Sequence, residues 1–144
     1  LAFVNFTRLP RKLTRAEWWQ VVWPISLFFG WITIATVANA VLTLQFLGWD
    51  GAGIADTTWS TILILVATGI TLTVLYFNRW NLIYGLVPVW AFLAIASKYG
   101  DPVALPALAM AALLTVVLLV TNLNKLLGRA DQPTGTAQAA AAAG

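Results

Sequence analysis

The sequence predicts an all-α protein, a four-helix transmembrane bundle with both termini on the cytoplasmic or stromal side. Three observations predict it. The 144 residues are 60% hydrophobic and only 9% charged, against about 45–50% and about 25% in soluble domains; the mean hydropathy is +0.84. Every Asp, Glu, Lys and Arg lies outside four stretches, 21–47, 57–78, 80–97 and 102–124, each close to the roughly 20 residues that cross a bilayer. An ionised side chain at mid-bilayer costs about 2.5–3.5 kcal/mol on insertion scales, so this segregation is what membrane insertion produces. Lipid offers backbone groups no partner, which leaves helices or a closed barrel. The runs are too continuously apolar for barrel strands of about ten alternating residues.

Residues 1–20 mix Phe3, Val4, Phe6, Leu9, Leu13, Trp18 and Trp19 with Arg8, Arg11, Lys12 and Arg15. That pattern suits a basic amphipathic segment lying along anionic headgroups, broken by Pro10, or an ordinary positively charged flank. The membrane domain follows over 21–128. Its first span ends at Gly48-Trp49-Asp50-Gly51-Ala52-Gly53, where three glycines surround an acidic residue. Asp56 is placed to cap the second span. Asn78-Arg79 separates the second and third spans so briefly that they must form an antiparallel hairpin. Gly100-Asp101-Pro102 ends the third span and starts the fourth, with Asp101 as cap and Pro102 at the first helical position; Pro106 either moves that start later or bends the first turn. Residues 129–144 form an Ala-rich tail with nothing to bury, expected to be flexible.

Orientation follows from Lys and Arg alone. Arg8, Arg11, Lys12, Arg15, Arg79, Lys125 and Arg129 fall on one face and Lys98 on the other. The positive-inside rule puts the richer face in the cytoplasm or stroma. The net charge of +3 is therefore a topology signal, and no soluble basic surface exists for nucleic acid.

The same composition narrows the chemistry. There is no Cys and no His, which excludes a disulfide scaffold, Ser-His-Asp or Cys-His catalysis and most metal sites. No carboxylate pair lies within a span, and no buried ionisable group marks a proton or ion path. No catalytic residue and no metal ligand is assigned, and the chain reads as a non-enzyme.

Tryptophan is the most over-used residue type, with eight copies. Trp18, Trp19, Trp23, Trp49, Trp59 and Trp80 fall at span edges, where interfacial belts enrich indoles. Trp31 and Trp90 fall inside spans, and a deep Trp is either packing or one wall of a ligand pocket. Ser26, Gly30, Thr33, Val37 and Ala40 recur at helical spacing as a helix-packing stripe. Asn39, the most polar side chain well inside the first span, either bonds across helices or contacts a ligand. The threonines of the second span bond back to their own helix, and Pro88 after Gly85 should kink the third.

One segment carries a family resemblance. Pro24-Ile25-Ser26-Leu27-Phe28-Phe29-Gly30-Trp31-Ile32-Thr33-Ile34-Ala35-Thr36-Val37-Ala38-Asn39 resembles the P-x-S-x-x-x-G-W-I-x-x-A-T-x-A-N segment of the tryptophan-rich sensory (TspO/MBR-like) integral membrane proteins. The similarity continues through Leu47-Gly48-Trp49, Trp59 and Val66-Ala67-Thr68 to Val89-Trp90-Ala91-Phe92, roughly residues 20–100. It implies a helical bundle that binds a tetrapyrrole or sterol-like lipid between Trp-rich helices, with Trp31, Asn39 and Trp90 as the positions carried over. The family pattern usually has five spans against the four read here, so a first span is expected to be missing or lost, and the Pro-Tyr…Trp…Leu-Asn final helix is not recognisable. With no His, any porphyrin or chlorophyll would be held without that ligand.

Two functions follow. One is a non-enzymatic protein of TspO-like type that binds a hydrophobic ligand. The other is a structural accessory subunit of a larger membrane complex, such as a photosystem or antenna supercomplex. There, chlorophylls or carotenoids would meet Asn39, Gln45, Asn81 or backbone carbonyls. Expected partners are the lipid bilayer, other membrane subunits or a second copy, and the hydrophobic ligand, with no nucleic acid. The expected location is the plasma membrane or an organelle membrane such as the thylakoid.

Overall fold

The computed structural model describes residues 14–130; the basic segment before Thr14 and the tail from Asp131 onward lie outside them. Among the described residues there is no strand. A short helical turn at Arg15–Glu17 and a wide π-type turn at Trp18–Val22 lead directly into α1, Trp23–Phe46. After a loop containing the 3-10 turn Gly51–Gly53 come α2, Asp56–Phe77, α3, Leu82–Lys98, and α4, Ala104–Ala130.

Three helical stretches are long and apolar enough to cross a membrane: Trp18–Phe46, Asp56–Phe77 and Ala104–Gly128. The expected span 80–97 corresponds to α3, which is apolar but has only 17 residues. It measures about 26 Å, against a hydrocarbon core of about 30 Å. Its late start has a backbone cause. Arg79 and Trp80 sit at φ 54° and 58°, the left-handed region that costs an L-residue roughly 1–2 kcal/mol and cannot continue into a right-handed helix. Asn81 then opens α3, its Oδ1 accepting from the Ile83 and Tyr84 N–H groups at 3.0 and 3.2 Å, the usual N-cap arrangement.

This shortest helix is also the most enclosed. It packs most extensively on α4 and next on α1, while α2 lies against all three. Ile83, Tyr84, Gly85, Val87, Pro88, Val89, Ala91 and Phe92 are all buried. The core joins Tyr84, Val89 and Phe92 to Ile64, Ala67 and Leu75 of α2 and Ala107, Ala111, Leu114 and Leu118 of α4.

Small residues set the close approaches, as expected where helices meet in lipid. A Cβ on Gly30 would lie 2.9 Å from the Tyr84 carbonyl oxygen and 2.9 Å from Val87 Cβ. That carbonyl lacks its usual helical donor because residue 88 is proline, which has no N–H; the glycine lets α1 seat against it. On the other flank a Cβ on Gly85 would lie 2.6 Å from Leu118 Cδ2. Ser26, Gly30, Thr33 and Val37 thus form the packing face expected of α1, but Ala40, at the far end of the stripe, is exposed.

Polar side chains cross-link the bundle. Asn81 Nδ2 donates to Ser26 Oγ at 2.9 Å. The Tyr84 hydroxyl, 1% exposed, lies 2.9 Å from Thr33 Oγ1 of α1 and is also hydrogen-bonded to Thr71 of α2, so one phenol ties three helices together. Thr68, Thr71 and Thr73 donate back to the carbonyls four residues earlier, as read from sequence.

These pairings give the directions: Ser26 with Asn81 and Thr33 with Tyr84 make α1 and α3 parallel. Lys125 Nζ donates to the carbonyls of Arg79 and, at 3.1 Å, Trp80, which makes α4 antiparallel to α3. The start of α1, the α2–α3 turn and the end of α4 therefore share one end of the bundle.

Two helix starts differ from expectation. Ala55 occupies the N-cap of α2 with no side-chain cap bond, and Asp56 is the first helical residue; its carboxylate favours the helix N-terminus through the dipole alone. The start of α4 moves past Asp101-Pro102 to Ala104. There the Gly100 carbonyl accepts from both Val103 and Ala104 N–H at 3.2 Å, and Pro106 sits within the first turn, where its missing N–H costs nothing.

Candidate functional site

The eight tryptophans sort into groups. Trp19 stacks on Trp23 with centroids 5.1 Å apart, and Trp18 meets Trp19 edge-on at 5.5 Å, just before the packing face of α1. Trp49 and Trp59 meet at 4.8 Å at the other end, where Trp59 Nε1 donates to the Gly51 carbonyl at 2.7 Å. Asp50 Oδ1 accepts from Ala52 N–H at 3.0 Å in the same loop, and Gly48, Gly51 and Gly53 adopt φ values of 75–79° that side chains resist. Trp80 meets Tyr76 at 6.4 Å beside the α2–α3 turn. These indoles have local structural work.

Trp31 and Trp90 differ. They lie far apart in the chain and on different helices, yet their ring centroids come within 6.4 Å at an interplanar angle of 43°. Both remain exposed on the outside of the bundle, 53% and 62%. With Leu27, Phe28, Leu86 and Val87 they line an open groove of about 490 Å³ between α1 and α3, within the range of about 300–1,000 Å³ usual for ligand sites. Leu27 precedes Trp31 by four residues and Leu86 precedes Trp90 by four, so each helix contributes neighbours on one face. That spacing was the signal available in the sequence; the pairing of the two faces was not.

The other candidate residues fall elsewhere. Asn39 is exposed on α1, two turns or about 12 Å beyond Trp31, and does not line the groove. Gln45 is exposed in the last turn of α1. Asn81 has its amide committed at both ends, to the α3 cap and to Ser26. The structure brings together Trp31 and Trp90 and leaves Asn39, Gln45 and Asn81 apart from them.

A second cavity of about 330 Å³ lies nearer the Trp49 end, among α1, α2 and α3. Val37, Val41, Ile64, Ala67 and Phe92 form its apolar wall, with Ser60 and Tyr99 as its polar edge. Nothing in the sequence pattern marks it, because its walls are ordinary span residues.

A family model described as TSPO-like protein matches residues 1–123, which includes the whole groove. The chain belongs to the TSPO-like family. Neither a curated protein nor a solved structure matches it. The match begins before and ends after the motif-bearing region 20–100, so the TSPO-like pattern takes in most of α4 as well as the helices that form the groove. In this TSPO-like membrane protein the groove can hold the face of a flat apolar molecule. It cannot ligate a metal from its own walls. The lining side chains are aliphatic or aromatic, their only polar atoms are indole N–H groups, and these donate but do not accept. Among the described residues no group of three or more His, Cys, Asp or Glu could hold a metal ion.

Proposed function

We propose that this TSPO-like membrane protein is a non-enzymatic binder of a flat hydrophobic ligand, a tetrapyrrole in the first instance, held against the indoles of Trp31 and Trp90. The observation that carries the reading is the convergence of the two deep tryptophans on one groove. A ring stacked between two indoles needs about 7 Å, twice the carbon–carbon contact distance. The 6.4 Å between centroids is short of that by less than about 1 Å, and a ring lying across both indoles needs no widening. Binding through the ring face suits a chain without His or Cys.

The membrane arrangement belongs to the same proposal. All four helices cross, with α3 packed against the other three and open along its Leu86–Trp90 face. The end carrying Arg15, Arg79 and Lys125 faces the cytoplasm or its organellar equivalent, as the positive-inside rule requires.

The test is a titration of the full chain in lipid nanodiscs with free-base protoporphyrin, followed by absorbance. Saturation at one ring per chain is expected. Losing one indole removes stacking worth about 0.5–1.5 kcal/mol, so Trp31→Ala and Trp90→Ala should each weaken binding about two- to tenfold, with Trp19→Ala unchanged. Parental affinity in both groove variants refutes the site. Absence of ring binding together with persistent co-migration in a pigmented assembly favours the accessory-subunit reading.

A further inference from the structure

The second cavity has a direction. Its lining runs from Ile34 to Leu42 on α1, from Ala67 back to Ser60 on α2, and from Phe92 to Tyr99 on α3 and its C-cap. The Trp49–Trp59 contact folds α2 back along α1, and α1 and α3 are parallel, so all three stretches descend together. Each covers about 10–12 Å of helix rise. At the deep end Ala67 and Phe92 are buried, while Leu42 and Tyr99 at the mouth are exposed. The slot shares no lining residue with the Trp31–Trp90 groove. Its walls are also mostly aliphatic where the groove is indole-faced. An acyl chain lying along such a slot makes dispersion contacts over its whole length.

The mouth is polar and carries both signs of charge. Ser60 follows Trp59, whose indole meets Trp49, and indoles of this kind mark the headgroup level. Lys98 Nζ sits over the ring of Tyr99, 5.4 Å from its centroid, within cation–π range, so an ammonium is held against a residue of the cavity edge. Asp56 lies one turn from Ser60 on the same face of α2, and its backbone carbonyl accepts from Ser60 Oγ at 2.8 Å. The other carboxylates of this end are Asp50, which accepts from the Ala52 N–H, and Asp101, in the turn before α4. A purely anionic head meets three carboxylates here, and a purely cationic one meets Lys98. A head that carries both signs satisfies the two walls at once.

We infer that the second cavity holds one acyl chain of a zwitterionic phospholipid. The chain lies along the aliphatic slot toward Ala67 and Phe92. The Tyr99 hydroxyl donates to an ester carbonyl, the phosphate faces Lys98, and the head-group ammonium faces Asp56. This site is independent of the ring-binding reading, because it uses different walls at the other end of the bundle.

The experiment uses the full chain in mild detergent. It is mixed with equimolar phosphatidylethanolamine, phosphatidylglycerol and diacylglycerol of matched acyl chains, and the retained lipid is counted by native mass spectrometry. One phosphatidylethanolamine per chain is expected, preferred severalfold over each of the other two. A cation facing a lipid phosphate is worth about fivefold in affinity. Lys98→Gln should therefore lower phosphatidylethanolamine retention about fivefold and leave diacylglycerol unchanged, and Asp56→Asn should narrow the gap to phosphatidylglycerol. Ala38→Phe and Val41→Phe fill the slot from its α1 wall and should each lose the phospholipid without shifting the unfolding transition. Equal retention of the three lipids, or a preference for phosphatidylglycerol, overturns the inference. Phospholipid retained undiminished by both filling variants overturns it as well.

Discussion

Replacing Gly30 by alanine tests the contact on which the groove depends. The new Cβ would lie 2.9 Å from the Tyr84 carbonyl oxygen and 2.9 Å from both Val87 Cβ and Cγ2. Carbon contacts relax only at about 3.5–4.0 Å, so α1 must retreat from α3 by about 0.6–1 Å. Neither neighbour yields cheaply: one is backbone, and the other is a buried β-branched side chain with one strongly preferred helical rotamer. The retreat carries the Ser26–Asn81 and Thr33–Tyr84 bonds, both 2.9 Å, to the edge of hydrogen-bonding distance or beyond. Overpacking costs about 1–3 kcal/mol and each interhelical bond about 0.6 kcal/mol. Alanine's better helix propensity returns about 0.5–1 kcal/mol. The net expectation is a loss of about 1–4 kcal/mol. The control is Gly69→Ala, where a Cβ meets nothing within 4 Å and only the propensity gain remains. Reversible unfolding of both variants in mixed micelles reads the difference directly. If Gly30→Ala proves as stable as Gly69→Ala, the close approach of α1 to α3 is not what holds this face together.

Two further substitutions probe the polar ties. Asn81→Ala removes the cap of α3 and the bond to Ser26, and should cost about 2 kcal/mol in the same unfolding assay; Asn81→Asp keeps the acceptor but loses the donor to Ser26, and should fall between. Trp59→Phe removes the bond to the Gly51 carbonyl while keeping an aromatic ring near Trp49, so amide exchange over residues 51–54 should accelerate with global stability changed by less than about 1.5 kcal/mol.

The helices were legible in the sequence because charge and turn chemistry mark their ends. The expected spans 57–78 and 80–97 became Asp56–Phe77 and Leu82–Lys98, and the starts of α3 and α4 each moved by two residues, past the left-handed Arg79-Trp80 pair in one case and past Asp101-Pro102 in the other. Contacts between helices were not legible. In water an apolar stripe identifies the inward face, but in lipid both faces are apolar, and Leu114, fully buried, and Leu119, exposed, look alike in the sequence. Only small and hydrogen-bonding residues distinguish the two, which is why Ser26, Gly30 and Thr33 were read correctly as packing. Trp31 and Trp90 were singled out by depth, yet their meeting depends on the parallel pairing of α1 with α3. Asn39 and Asn81 show the converse: both are polar residues near apolar runs, one left on the surface and the other bound into a helix cap.

The enclosure of α3 has a consequence for biogenesis. Its Gly85 flank is closed by Leu118 of α4, which is synthesised after it, while its other flank packs on α1, which precedes it. Between the synthesis of α3 and that of α4, the nascent chain carries a short helix whose small-residue flank has no α4 to pack against. The order of translation thus leaves the Gly85 flank open until α4 arrives, and a chain that stops after α3 lacks the surface that covers it.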